Sequence, residues 1–349
     1  MSLFRGYIGT YTKAESKGVY TFTLDTEKKT FQELELAAEL GNPTYVNLDE
    51  DQTNLYAVVK DGDKGGVASY TVDAKSGALT HLTTELTDDG SPCHVSVNEQ
   101  TAVTANYHSG RITLFPLQAD GGVTPASSFA QHEGTGPHDR QEKPHAHFSG
   151  FTPDQQYIVA VDLGTDKLVT YTFENNELIK AGEFSFNPGS GPRHLAFHPK
   201  EKYVYVFTEL SNEIVTLAYE DVPNAFREVQ VVSTLPDDFI ENSQGSAIHV
   251  SSDGRFVYAA NRGHDSIAVF EVNPYSGELT LVQRVSSAGN WPRDFVLDPT
   301  ESFVIVSNEE TGNVVLFERN KEDGTIIELS STLEVSKPVC LKFVSASIN

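Results

Sequence analysis

Short apolar runs broken by Gly, Pro, Asp and Ser recur along this chain, and they recur in groups. Each group opens on one phrase: a small residue, Pro, a polar residue, then a hydrophobic strand. The phrase returns about every 50 residues, as Asn42-Pro43-Thr44-Tyr45-Val46, Ser91-Pro92-Cys93-His94-Val95, Lys143-Pro144-His145-Ala146-His147, Gly191-Pro192-Arg193-His194-Leu195, Ser246-Ala247-Ile248-His249-Val250, Trp291-Pro292-Arg293-Asp294-Phe295 and Lys337-Pro338-Val339-Cys340-Leu341. A period of 40 to 50 residues filled with short β-rich runs predicts a β-propeller, one four-stranded blade per copy. Seven copies predict seven blades.

The copy from Gly245 onward shows the grammar. Ile248-His249-Val250 is a first strand, Ser251-Ser252-Asp253-Gly254-Arg255 a turn, and Phe256-Val257-Tyr258-Ala259-Ala260 a second strand. Ser266-Ile267-Ala268-Val269-Phe270 follows as a third, then a Pro274-Tyr275-Ser276-Gly277 turn and a fourth strand from Leu279. The chain ends on a first strand, Val339 to Phe343, and begins with a second and a third, Gly6 to Gly9 and Val19 to Phe22. One all-β domain over residues 1–349 is therefore expected, its last blade shared by the two termini so that no sheet edge stays open. No helix is expected beyond a short turn at Pro223-Asn224-Ala225-Phe226.

Composition narrows the partners. The 349 residues are 38% hydrophobic and carry a net charge of −24, which argues against nucleic acid or an anionic membrane surface. No run is long enough to span a bilayer, and the N-terminus lacks a secretory pattern, so a cytoplasmic protein is expected. Cys93 and Cys340, the two cysteines, fall in separate blades and read as free, small apolar side chains. If the substrate is an anion, its cations must be gathered locally.

Such a gathering is visible. In antiparallel neighbours the start of the first strand and the end of the second share one face of the ring. First-strand starts carry His94, His145, His147, Arg193, His194, His249, Arg293 and Asp294. Second-strand ends carry Asn106, Asp162, Glu209, Asn261 with Arg262, and Asn308 with Glu309. A bland reading stands beside each group. Asn at a strand end caps turns, His94 and His249 can satisfy backbone groups between blades, and Arg193 and Arg293 can make inter-blade ion pairs. The functional reading is that His145 or His147 acts as a base, with Glu209 orienting it and Arg193 and Arg262 holding an anion or an oxyanion. That set suits water attack on an activated ester. Asn106, Asp162, Glu209 and Asn308 also form an oxygen-donor set of the kind Ca²⁺ takes, but no metal or other cofactor is expected. Nucleophile elbows, phosphate loops, His-Glu-x-x-His and Cys-x-x-Cys are all missing.

The phrases Tyr7-Ile8-Gly9-Thr10-Tyr11-Thr12, Lys143 to His147, Gly191 to Pro199, Asp253 to Ile267 and Pro292 to Phe295 together resemble the seven-bladed lactonase family. That family joins the propeller-type 6-phosphogluconolactonases and the fungal carboxymuconate lactonizing enzymes, and the resemblance covers essentially the whole chain. It implies metal-independent hydrolysis of 6-phospho-D-glucono-1,5-lactone in the oxidative pentose phosphate pathway. It also implies a catalytic His at His145, an Arg and a Glu at Arg193 and Glu209, and a further Arg near Arg262. The expected catalytic group is thus His145, His147, Arg193, Glu209 and Arg262. His94, Asn106, His194, His249, Asn261, Arg293 and Asn308 are expected to contact the substrate, a phosphorylated sugar lactone. The alternatives are a hydrolase or cycloisomerase for another lactone and a propeller that only binds. Against the last stand a single Trp, Trp291, and no repeated Trp-Asp signature.

Overall fold

The computed structural model describes residues 2–73, 75–220 and 226–348. Its strands form seven four-stranded antiparallel sheets, six of them running in chain order from an innermost to an outermost strand. The innermost strands of the first six blades are Val46–Leu48, His94–Val97, Ala146–Phe151, Pro192–Phe197, Gln244–Val250 and Pro292–Leu297. The seventh is closed as expected: Pro338–Ser347 pairs with Leu3–Thr10, with Gly6 opposite Phe343 and Ile8 opposite Leu341. One 3₁₀ turn, Glu174–Asn176, is the only helical segment among the described residues. Of the turn expected at Pro223-Asn224-Ala225-Phe226, the first three residues lie outside the described residues, and Phe226 opens the outermost strand of the fourth blade.

Burial explains the spacing of the apolar runs. Second strands such as Phe256–Arg262 are buried at every position, because both faces are covered by neighbouring blades. Outermost strands such as Leu279–Ser286 are half-exposed. The core is accordingly divided into seven clusters, one at each junction between blades. Phe256, Tyr258, Ile267 and Val269 of the fifth blade, for example, meet Phe295, Val304, Val306 and Phe317 of the sixth.

A second tie repeats between blades. Tyr7, Tyr205 and Tyr258, all on second strands, each donate a buried hydroxyl to the carbonyl of Gly77, Gly277 and Gly324 in the next blade's outer turn, at 2.7, 3.1 and 2.8 Å. These glycines have positive φ, which the tight turn requires. Tyr258→Phe leaves the Gly324 carbonyl and the Arg319 Nε–H, now 2.6 Å from the hydroxyl, without this partner. We expect a loss of about 1–3 kcal/mol, read from the urea midpoint; an unchanged midpoint would show that water replaces the hydroxyl.

The innermost strands carry one further regularity. In five blades the innermost strand carries one residue more than the second strand near its start, between Ala146 and Phe148, Pro192 and His194, Gly245 and Ile248, Pro292 and Asp294, and Pro338 and Cys340. The extra residues are His147, Arg193, Arg293 and Val339, and in the fifth blade Ser246 and Ala247 stand together against Ala260. A β-bulge bends the strand and re-aims a side chain, and bulges concentrate beside active sites.

Candidate active site

On the face where innermost strands begin lies a cavity of about 750 Å³, lined from all seven blades. Its walls include Tyr11, Lys60, Cys93, Tyr107, His108, Arg140, His147, Glu209, Gln244, Arg262, Trp291 and Arg293. A smaller recess of about 30 Å³ shares Tyr11, Thr44, Cys93 and Arg293 with it and is completed by Tyr45, Arg193, His194, Asp294 and Val339.

Glu209 is the hub. It follows the second strand Tyr203–Thr208 of the fourth blade, and its backbone N–H bonds to the Gly191 carbonyl at 2.7 Å. Its carboxylate meets three guanidiniums: Arg262 Nη2 at 2.6 Å and Arg193 Nε at 3.0 Å on Oε2, and Arg140 Nη2 at 2.5 Å on Oε1. Glu209, Arg193 and Arg262 are only 2%, 3% and 3% exposed. Burial works against the carboxylate's charge, but Arg262 and Arg193, with His147 and Arg140, outweigh it and hold Glu209 well below its ordinary 4.5. A carboxylate so held is a poor base. Its role is to gather and neutralise arginines.

The arginines remain electron-poor even so. Burial, then the charges of Arg262 and Arg293, push Arg193 down to about 9, which still leaves it protonated at neutral pH. Arg193 Nε faces Glu209 outside hydrogen-bonding geometry, and its Nη1 has no acceptor among the described residues. Arg262 uses Nη2 on the Gly245 carbonyl as well as on Glu209, and its guanidinium lies 5.6 Å from the Trp291 ring. Arg293 reaches Glu309 at 3.4 Å and lies over Tyr11.

Of the paired histidines, His147 is the one that lines the cavity. Burial, and after it the charge of Arg193, holds its imidazole well below 6.5, so it is neutral at neutral pH; Glu209 pulls the other way, favouring the protonated ring. His147 Nδ1 lies 3.9 Å from Cys93 Sγ, and Nε2 bonds no group among the described residues. Cys93 itself is no activated nucleophile, since burial pushes its thiol up to about 12. His145 sits behind the wall. Its Nδ1 is 2.8 Å from the Tyr107 carbonyl, its Nε2 is 3.2 Å from both Glu142 carboxylate oxygens, and its ring stacks on Tyr107 at 4.2 Å.

The other expected contacts divide. Arg293 lines both cavity and recess, and His194 lines the recess. Asn106, Asn261 and Asn308 line neither; each is buried in a clasp onto neighbouring backbone. Asn106 bonds Asp89, Gly90, His108 and Ser109, Asn261 bonds Thr234, and Asn308 bonds the Ser287 carbonyl. Asp162 is spent likewise, on three backbone N–H groups and on the His132 ring at 2.6 Å. The four oxygen donors therefore do not converge, and among the described residues no cluster of His, Cys, Asp and Glu is placed to hold a metal. His94 and His249 also line neither cavity nor recess: His94 is sandwiched between Tyr45 and Phe148, and His249 lies 3.8 Å from Asp294.

Sequence reasoning missed Arg140, Tyr107, Gln244 and Trp291. Tyr107 directly follows Asn106 and Trp291 directly precedes Pro292, so a window one residue wider finds both. Arg140 projects from a loop pinned by the fully buried Gln141, whose Nε2 donates to Leu163 O at 2.7 Å and Asp166 Oδ1 at 2.8 Å. No strand spacing announces it.

A family model described as "Lactonase, 7-bladed beta-propeller" matches residues 5–343. The chain belongs to the seven-bladed β-propeller lactonases. It is 61% identical to the 6-phosphogluconolactonase of Bacillus subtilis (strain 168), over 99% of both chains. Among solved structures, the Pseudomonas aeruginosa periplasmic gluconolactonase PpgL superposes with a TM-score of 0.93 at 30% identity, over 98% of this chain and 99% of that one. A protein from Lactobacillus plantarum superposes with a TM-score of 0.94 at 37% identity, over 98% and 99%. In this lactonase the buried arginine hub sits on the axis of the ring, and none of its helices is long and apolar enough to cross a membrane among the described residues.

Proposed function

We propose that this lactonase hydrolyses 6-phospho-D-glucono-1,5-lactone to 6-phosphogluconate, with His147 as general base and the guanidinium of Arg262, which lines the cavity beside it, receiving the oxyanion, while Arg193 lines only the recess below. The observation that carries the reading is a neutral, cavity-facing imidazole beside three guanidiniums held by one buried carboxylate. Water adds to the lactone carbonyl carbon as His147 Nε2 takes its proton. The tetrahedral oxyanion then collapses, the bond from that carbon to the ring oxygen breaks, and the imidazolium returns its proton to the leaving oxygen. Glu209 supports the transient imidazolium through its charge and keeps the arginines in place. The name of the Bacillus subtilis relative supports the phosphorylated substrate. A cytoplasmic setting fits that substrate, because sugar phosphates are made and retained there.

The test is the rate of hydrolysis of the phosphorylated lactone by pure protein, beside unphosphorylated gluconolactone and with EDTA, corrected for spontaneous ring opening. Fast turnover that prefers the phosphorylated lactone and ignores EDTA is expected. Preference for the unphosphorylated lactone would move the substrate toward that of the Pseudomonas relative; no excess over background for either would sink the reading. Arg262→Ala should lower kcat about a hundredfold, the order of one lost oxyanion donor, with the far-UV spectrum of a folded propeller. A folded variant at wild-type rate removes Arg262 from the mechanism.

A further inference from the structure

We propose that the recess below the cavity floor binds a single small anion of halide size, chloride in ordinary solution, between the side chains of Arg193, Arg293 and His194. Three independent observations carry this.

The first is charge. The cavity wall also carries Asp63, Asp88 and Asp89 with Lys60, and Asp88 and Asp89 pair with Lys64 and Arg111; around the floor itself five buried or half-buried cations, Arg140, Arg193, Arg262, Arg293 and Lys342, face three carboxylates, Glu209, Glu309 and Asp294. Two positive charges are left over on a floor where Arg193 and Arg262 are buried, and an unpaired buried charge is expensive. Exposed Lys13, 3.4 Å from Glu309, only adds to the excess. In a protein whose overall charge is −24, this local surplus needs an anion of its own.

The second is unspent donors. Arg193 is 3% exposed and its Nη1 has no acceptor among the described residues; His194 is 8% exposed and its Nε2 has no partner. Both side chains line the recess, and Arg193 does not line the larger cavity. Arg193 Nη1 is a donor, and His194 Nε2 is one in the tautomer that carries the ring proton there; buried polar atoms of this kind are almost always satisfied by protein, water or an ion. Asp294, the one carboxylate on the recess wall, is turned to other groups: its Oδ2 accepts the Leu341 N–H at 2.8 Å and its Oδ1 faces His249.

The third is size. About 30 Å³ holds one water-sized or halide-sized particle. It excludes sulfate, phosphate and sulfonates, all of which the 750 Å³ cavity above would admit. Size selectivity therefore separates the recess from the substrate cavity.

The consequence is a resting enzyme whose floor arginines are already partly neutralised, stabilised by halide in proportion to occupancy. The experiment follows the thermal midpoint of the full-length protein at constant ionic strength while sodium methanesulfonate is replaced by sodium chloride or bromide. A midpoint that climbs with the logarithm of halide concentration, and does so no longer in Arg193→Met, is the expected result. A midpoint indifferent to the exchange overturns the proposal, as does a halide effect that survives in Arg193→Met. Should that variant fail to fold, crystals of the wild-type protein grown with bromide decide: an anomalous peak between the Arg193 and Arg293 guanidiniums supports the site, and a recess holding only water overturns it.

Discussion

Glu209→Gln is expected to lose about 3–5 kcal/mol of stability and about a hundredfold in kcat together. The substitution keeps the shape of the side chain and removes the charge that three guanidiniums share. Breaking a buried ion pair by deleting one partner leaves the other charges uncompensated, which is where the stability figure comes from. The kinetic loss follows because Arg262, without its carboxylate partner and repelled by Arg193, no longer holds the position the oxyanion needs. The loss also has a pH signature. Because the folded-state value of Glu209 is depressed, its stabilisation is full above about pH 4.5, the ordinary range of an unfolded Glu, and shrinks as pH falls through the folded value. Urea midpoints of wild type and variant should thus differ most at neutral pH and converge in acid. A constant gap across that range would mean the carboxylate acts through packing alone.

The largest kinetic effect should come from His147→Asn, with kcat down by 10² to 10⁴, the usual range for a lost general base, and KM little changed. Wild-type kcat/KM should hold steady from neutral pH to below pH 6.5 and fall only in more acid solution. The sign is set by the burial and the Arg193 charge that keep the ring neutral well below its ordinary value: the base is in its working form until the pH drops through that lowered value. The variant should lack this acid limb. His145→Asn is the control, because His145 touches Tyr107 and Glu142 behind the wall; it should shift KM through Tyr107 while keeping the limb. If His145→Asn abolishes the limb and His147→Asn retains it, the two roles are exchanged.

That choice between two histidines marks the boundary of what the chain discloses on its own. The seven blades, their strands and the closure by Leu3–Thr10 on Pro338–Ser347 are legible because burial between blades writes continuous apolar runs, and turns write Gly and Pro. The rim is legible because antiparallel pairing brings strand starts and strand ends to one face. The bulge is not. Aligning blades on their prolines sets His145 opposite Arg193, whereas the strand pairing sets His147 opposite both Arg193 and Arg293. One inserted residue decides which ring faces the cavity, and nothing in residue type signals it. The asparagines mislead for a related reason: a polar residue at a strand end is equally suited to clasp a turn, and Asn106, Asn261 and Asn308 do so. Arg140 escapes because its loop is placed by the tertiary contacts of Gln141.

The seam in the seventh blade also sets the order in which the molecule can be finished during synthesis. Blades one to six can form as they leave the ribosome, each docking on its predecessor, but the sheet built from Leu3–Thr10, Gly18–Asp25 and Thr30–Glu39 must wait with one edge bare. Its partner arrives more than 300 residues later, the kind of long-range closure that makes β folding slow and leaves an edge open to misassembly. The same late strand brings Val339 to the recess, and the waiting sheet leads into Tyr11 on the cavity wall. Docking of Pro338–Ser347 on Leu3–Thr10 therefore closes the ring and completes the recess in a single event.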